Sequence, residues 1–461
     1  MPSQMSNTRT LATYAVSGSF DDLSDEVVAH TKTAILNILG AALGGAETQI
    51  GQHHLNLARA TGGGLAQATL IGQGGQVSAA MAAYANASLA FALDYEDVVC
   101  YCIHAGPVTI PAALAIGELH GASGRDFLIA VERGYEIGTR IGLAMQPSAQ
   151  RGAQVWGQQY TPFAPCIAVG RLLGLDAERM DAAMGITGTY APVPSAYKYF
   201  GTVAETRPMR EAKLGWGWMS LGGTFGAQSA AEGFRGGHGI LDGEEGFWIM
   251  AGSDQCDHAI MTQDLGNTHY ILETEFKVHP SIAWNHPPHV ALKKMMQADN
   301  FAADDVEQLT ATGLGAERIA DFNPVGAVDA MFSLPYTIAT TLLGDPLLPA
   351  MYDDKRIHSD DIRVLLKRID VRADPQADLA WFNEHRMCYQ LDVTLKDGRA
   401  LHVATEFPRD KPEQGHREVV AKFRELAGIS LPDDRVEEII STVEDLENLE
   451  NVASLAKMLA S

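Results

Sequence analysis

The sequence predicts a mainly α protein: a large all-helical domain with a smaller α+β domain inserted near its C-terminal end. Three observations lead there. Through about the first 265 residues, apolar positions recur at helical spacing with almost no strand-like alternation. The composition then shifts near Thr268, and β-branched alternating runs appear up to about Arg409. After Pro408 the helical pattern returns. The expected division is residues 1–267 plus 411–461 for the helical domain and 268–410 for the α+β domain, a reasonable partition for a chain of 461 residues.

Taken in order, Asp25–Leu43 is amphipathic and ends at a glycine pair. Val77–Leu93 is a small-residue helix able to pack closely, and Val108–Leu119, Gly124–Met145, Ala164–Leu173, Ala177–Gly188 and Leu214–Glu232 continue the pattern. Ser123, Asp126 and Asp176 stand where helix caps prefer short polar side chains. In the second region Val306–Gly313, Ile362–Val371 and Tyr389–Leu395 read as strands. Asp397-Gly398 between Tyr389–Leu395 and Ala400–Thr405 is a hairpin signal. Helices Ser281–Gln297 and Phe332–Leu343 interleave with these strands, and His416–Gly428 and Arg435–Leu459 close the chain.

A net charge of −23 argues against nucleic acid and against an anionic membrane surface, but not against an anionic substrate held by a few local cations. The N-terminal residues lack a basic segment followed by an apolar one, so a cytoplasmic location is expected. Five cysteines, with Cys100 and Cys102 too close for an ordinary disulfide, read as reduced thiols without zinc. Neither GxGxxG after a strand, nor a P-loop, nor GxSxG is present.

Four blocks could carry chemistry. Asp94, Glu96 and Asp97 precede His104 by about ten residues, and His104 stands just before Gly106, Pro107 and an apolar helix. Carboxylate and imidazole at such a junction are the material of general acid–base catalysis, although a capped acidic turn gives the same pattern. Arg207, Arg210 and Lys213 stand three apart; on a helix they share a face that can clamp carboxylates or pair with Glu205 and Glu211. His279, His286 and His289 fall within eleven residues, but their spacing and the intervening prolines do not suit a metal site. His286, just before Pro287, is better placed to donate to an anion or move a proton. Tyr336 leads an apolar helix, where a tyrosine is usually core and its hydroxyl needs a partner.

Together these blocks resemble the MmgE/PrpD family over nearly the whole chain. The resemblance rests on LDYED with IHAGPVTIPAALAIGE, GASGRDFLIAVERGYEIGTRIG, RLLGLDAERMDAAMGI, YFGT with RPM, the WNHP block, DAMFSLPYTIATTLL and FPRDKPE with KFREL. It implies a helical domain built from both chain ends, an α+β lid with the active site between them, and a dimer. It also implies cofactor-independent acid–base chemistry on a small di- or tricarboxylate: dehydration or decarboxylation, with epimerisation or non-catalytic binding as alternatives. Asp94, His104, His286 and Tyr336 match the family's pocket residues, and Arg207, Arg210 and Lys213 are the expected substrate cations. Two departures stand out. QVWGQQYTPF lacks the family's histidine, and Arg207 in TRPMREA replaces its lysine. An arginine keeps its proton and can only clamp.

Overall fold

The computed structural model describes residues 6–100, 102–152, 154–156, 160–192, 195–196, 200–209 and 215–460. Helix Asp25–Ala46 starts where the Ser24 hydroxyl accepts from the Val27 N–H, with Asp25 and Glu26 in the first turn. It is long and apolar enough to cross a membrane, but 83% of its most apolar window is buried against other helices. Ala79–Phe91 and Gly106–His120 are buried almost throughout, because small side chains let the backbones approach. At Gly45 a Cβ would stand 2.0 Å from the Leu89 carbonyl, so that contact admits no side chain. The C-terminal helix His416–Ala427 lies on Asp25–Ala46, and Val419, Phe423, Ile439 and Leu455 join the buried cluster that runs from Leu11 to Phe276.

A second buried cluster gathers Ile282 to Phe407 and reaches back to Phe91, Phe200 and Trp216. Its sheet has the spatial order Ala400–Phe407, Met387–Leu395, Val306–Gly313, Ile369–Ala373; the last pair is parallel and the others antiparallel. Met387–Leu395 alternates strictly, with every odd position from Met387 to Leu395 turned inward. Helices His286–Asp299 and Leu334–Leu343 pack against each other beside this sheet. Asp97–Val99 pairs antiparallel with Thr274–Phe276, Asp97 opposite Phe276, and Val99 and Phe276 both belong to the first cluster.

Three expectations about elements need correction. Ile362–Val371 is not one strand: Asp360–Leu366 is helical and only Ile369–Ala373 is extended. Ser359, Asp360 and Asp361 at its start favour a helix N-terminus, and this outweighs the β-branched content. Arg435–Leu459 is broken into Asp433–Glu444, a turn at Leu446–Asn448 and Ala453–Met458, because the Asn451 side chain accepts from the Ala453 N–H and restarts the helix. Arg207 is not on a helix face; it follows the short helix Val203–Thr206 in an extended conformation. Arg210 and Lys213 lie outside the described residues.

Candidate functional site

A cavity of about 150 Å³ opens between the two clusters, and Asp94, His104 and Lys277 line it. The local sequence places each of them. Helix Ala79–Phe91 ends, and Asp94 takes a left-handed conformation with φ 50°, which L residues other than Asn and Asp seldom adopt. This turn sends the chain into strand Asp97–Val99, while Lys277 follows the paired strand Thr274–Phe276. The Lys277 N–H donates to the Glu96 carbonyl, so its side chain returns to the carboxylates. His104 sits just before helix Gly106–His120.

Sequence reasoning left out Lys277, yet it is the hub of the site. Its ammonium donates to the Asp94 carboxylate, to the Asp94 carbonyl at 3.0 Å, and lies 2.9 Å from Glu96 Oε1. The same Glu96 oxygen accepts from His104 Nδ1 at 2.8 Å, which leaves His104 Nε2 as the free ring nitrogen. His104 keeps 14% of its side chain exposed, whereas Lys277 keeps 2%, Asp94 3% and Glu96 none. Of this group, His104 is therefore the one most open to a ligand. Trp216 and Phe91 fix its ring, with centroids at 4.8 and 5.4 Å.

Burial opposes every charge here, and the partners decide the outcome. It pushes Asp94 up despite Lys277. It would raise Glu96 as well, but Lys277 and His104 together hold that carboxylate below its usual range. Burial would lower Lys277, and the two carboxylates more than offset it, so the ammonium stays charged. Beneath this layer Asp97 accepts from the Tyr135 hydroxyl at 2.9 Å, and burial pushes it up to about 7. Gly106 backs this pair: a Cβ there would lie 2.2 Å from the Tyr135 hydroxyl. Lys422, from the C-terminal helix, bonds Asn37 Oδ1 at 2.9 Å, stands over the Tyr95 ring at 3.7 Å, and is lowered by burial to about 7.

Three other expected site residues stand elsewhere. His286 is buried and donates from Nε2 to the Ser281 carbonyl at 3.2 Å, beside a separate void near Lys277. The Tyr336 hydroxyl is buried and donates to the Met351 carbonyl, away from the cavity wall. The Arg207 guanidinium lies 3.6 Å from Asp321 and 3.8 Å from Asp329 and donates to the Arg318 carbonyl, so its charge is already balanced. The rings of His279 and His289 lie 4.6 Å apart, tilted by 56°, beside another cavity, bonded to Ser281 and Thr341. Among the described residues no group of three or more His, Cys, Asp or Glu is arranged to hold a metal ion.

Residues 9–257 match the MmgE/PrpD N-terminal domain, and residues 279–448 match the MmgE/PrpD C-terminal domain. Among curated proteins, the cis-aconitate decarboxylase of Aspergillus terreus is 22% identical over 468 residues, covering 95% of this chain and 93% of that protein. The cis-aconitate decarboxylase of Homo sapiens is 23% identical over 462 residues, covering 95% and 91%. The cis-aconitate decarboxylase-like protein oryM of Aspergillus oryzae is 23% identical over 419 residues, covering 85% and 84%.

Proposed function

Because the chain belongs to the MmgE/PrpD family, we propose that it is a lyase that dehydrates or decarboxylates a small di- or tricarboxylate by side-chain acid–base chemistry. The observation that carries this reading is the Lys277–Glu96–His104 array beside the cavity. Either reaction builds negative charge on a carbon next to a carboxylate. His104 Nε2 moves the proton, and Lys277, whose ammonium is paired with Asp94 and Glu96, fixes the array that orients it. In dehydration His104 takes the C–H proton, the electron pair forms the alkene, and the hydroxyl leaves as water with that proton handed on from His104. In decarboxylation the C–C bond electrons stay on the carbon as CO2 departs, and His104, entering as the imidazolium, gives that carbon its Nε2 proton and recovers one from solvent. The Glu96 carboxylate keeps the Nδ1 proton in place in both steps, so that Nε2 takes a proton in dehydration and, in the imidazolium, gives one in decarboxylation.

The decarboxylases among the relatives support the reaction class, and the departures at Arg207 and in residues 154–163 support a substrate or reaction different from theirs. We place the enzyme in the cytoplasm as a homodimer. The test is NMR in D2O with a panel of polycarboxylates. An alkene product or CO2 release, lost in His104→Gln, is the expected result. Deuterium uptake without product would mark an epimerase, and no exchange or product with any carboxylate would overturn the reading.

A further inference from the structure

Helix Pro375–Glu384 ends on a histidine. His385 takes a left-handed conformation, φ 54° and ψ 34°, and its N–H donates to the Trp381 carbonyl at 3.0 Å. Glycine or asparagine fills such a turn with less strain, so the backbone does not select an imidazole there. A residue held left-handed beside a reactive cavity points to a use for its side chain. His385 lines the same cavity as Asp94, His104 and Lys277. Its ring meets the Trp381 ring edge to face at 5.9 Å, and Trp381 lines the cavity too. The helix packs on Ala149–Gly152, so His385 belongs to the C-terminal family domain yet stands where that domain meets the N-terminal one.

The cavity thus holds two imidazoles in different surroundings. His104 is oriented by the Glu96 carboxylate and packed by Phe91 and Trp216. His385 is packed by Trp381, and burial lowers its basicity, so the ring is neutral near pH 7 and offers one N–H donor and one lone pair. A carboxylate that comes against it accepts the N–H, and its negative charge favours the imidazolium, which strengthens the contact. We infer that His385 is a substrate-contacting residue that binds a second carboxylate of the substrate while the reacting carbon faces His104 Nε2. This inference rests on the acid–base reading above and adds to it that each of the two family domains supplies one histidine to the bound acid.

Calorimetric titration of the wild type and His385→Gly with tricarballylate, succinate and succinamate, the monoamide of succinate, tests it. Glycine accepts the left-handed turn, so thermal stability should be kept. The variant should bind tricarballylate and succinate about tenfold more weakly and succinamate within about twofold of the wild type. In wild type labelled with carbon-13 histidine, the His385 resonance, identified by its loss in the variant, should move when succinate is added. Unchanged succinate affinity in the variant, or an equal loss for succinate and succinamate, overturns the contact; so does a loss of stability with affinity intact, which would leave His385 as a helix cap. Hydrogen exchange in D2O on the same acids separates this from the parent reading. A shifted His385 resonance with no exchange or product from any acid supports the contact and overturns the acid–base role. Exchange that is lost in His104→Gln, with the His385 resonance unmoved, does the reverse, and no binding of either polycarboxylate by the wild type overturns both.

Discussion

The Glu96 carboxylate accepts the Nδ1 proton of His104 at 2.8 Å while it is itself fully buried. An ionised carboxylate can only accept, so this contact fixes the imidazole tautomer and leaves Nε2 for the substrate. The geometry assigns to Glu96 a positioning role that the run Asp94-Tyr95-Glu96-Asp97 alone does not single out. His104→Gln should lower kcat by roughly 10²-fold or more, with thermal stability nearly unchanged, because the glutamine amide still donates to Glu96. Glu96→Gln should lower kcat less and move the pH–rate profile. Equal losses of activity and stability in His104→Gln would mean the histidine only caps the following helix.

Lys277 compensates two buried carboxylates, so its removal should damage the fold as well as catalysis. Lys277→Met should cost about 3 to 5 kcal/mol near neutral pH. Without the cation, burial raises both Asp94 and Glu96, and a raised acid favours the folded state below its shifted pKa. The variant should therefore regain stability as pH falls and lose it as pH rises. Urea unfolding at pH 5 and pH 8 checks this; a pH-independent loss would mean that Asp94 and Glu96 are not the affected groups.

What the sequence made legible follows from local chemistry. The helical body, the Asp397-Gly398 hairpin and the nearness of Asp94 to His104 all rest on periodicity or short spacing. Lys277 escaped because its partners lie about 180 residues away and meet it through the short pairing of Asp97–Val99 with Thr274–Phe276. No local pattern marks a single lysine in TEFKVHP. The opposite error affected Arg207 and Tyr336. Their residue types suited the chemistry, but Asp321, Asp329 and the Met351 carbonyl, all distant in sequence, already occupy their polar groups.

Arg207 should accordingly behave as a structural cation. Arg207→Ala leaves Asp321 and Asp329 close together and buried, and the expected loss is about 3 to 5 kcal/mol of stability with little change in KM. Denaturation and steady-state kinetics on the same preparation decide between roles. A KM raised tenfold with stability intact would restore the carboxylate clamp.

The outer face of helix Trp216–Ala231 carries Trp218 and Phe225, 60% and 57% exposed, with Phe234 beyond it at 69%. Residues seven apart share a helix face, and apolar side chains this exposed favour burial against a second copy. Trp218→Glu with Phe225→Glu should shift sedimentation from about twice 49.5 kDa to the single-chain mass. A wild-type chain that already sediments as a monomer at micromolar concentration would remove the homodimer from the proposal.

Asp97 gives the pH dependence its clearest sign. Burial raises it to about 7, so the fold favours its protonated form over the ionised one. The stability contributed by that protonated form is complete below the ordinary carboxylate range near 4 and is lost as pH rises through about 7, at roughly 1.4 kcal/mol per unit. Asp97→Asn keeps an acceptor for the Tyr135 hydroxyl but cannot ionise, so it should lack this loss. Relative to the variant, the wild type should weaken steadily between pH 4 and pH 7, by roughly 3 to 4 kcal/mol at most, and then level off. Urea midpoints of both proteins at four pH values measure the divergence. Parallel curves across that window would mean that Asp97 is ionised in the folded state, with Lys422 supplying the compensating charge.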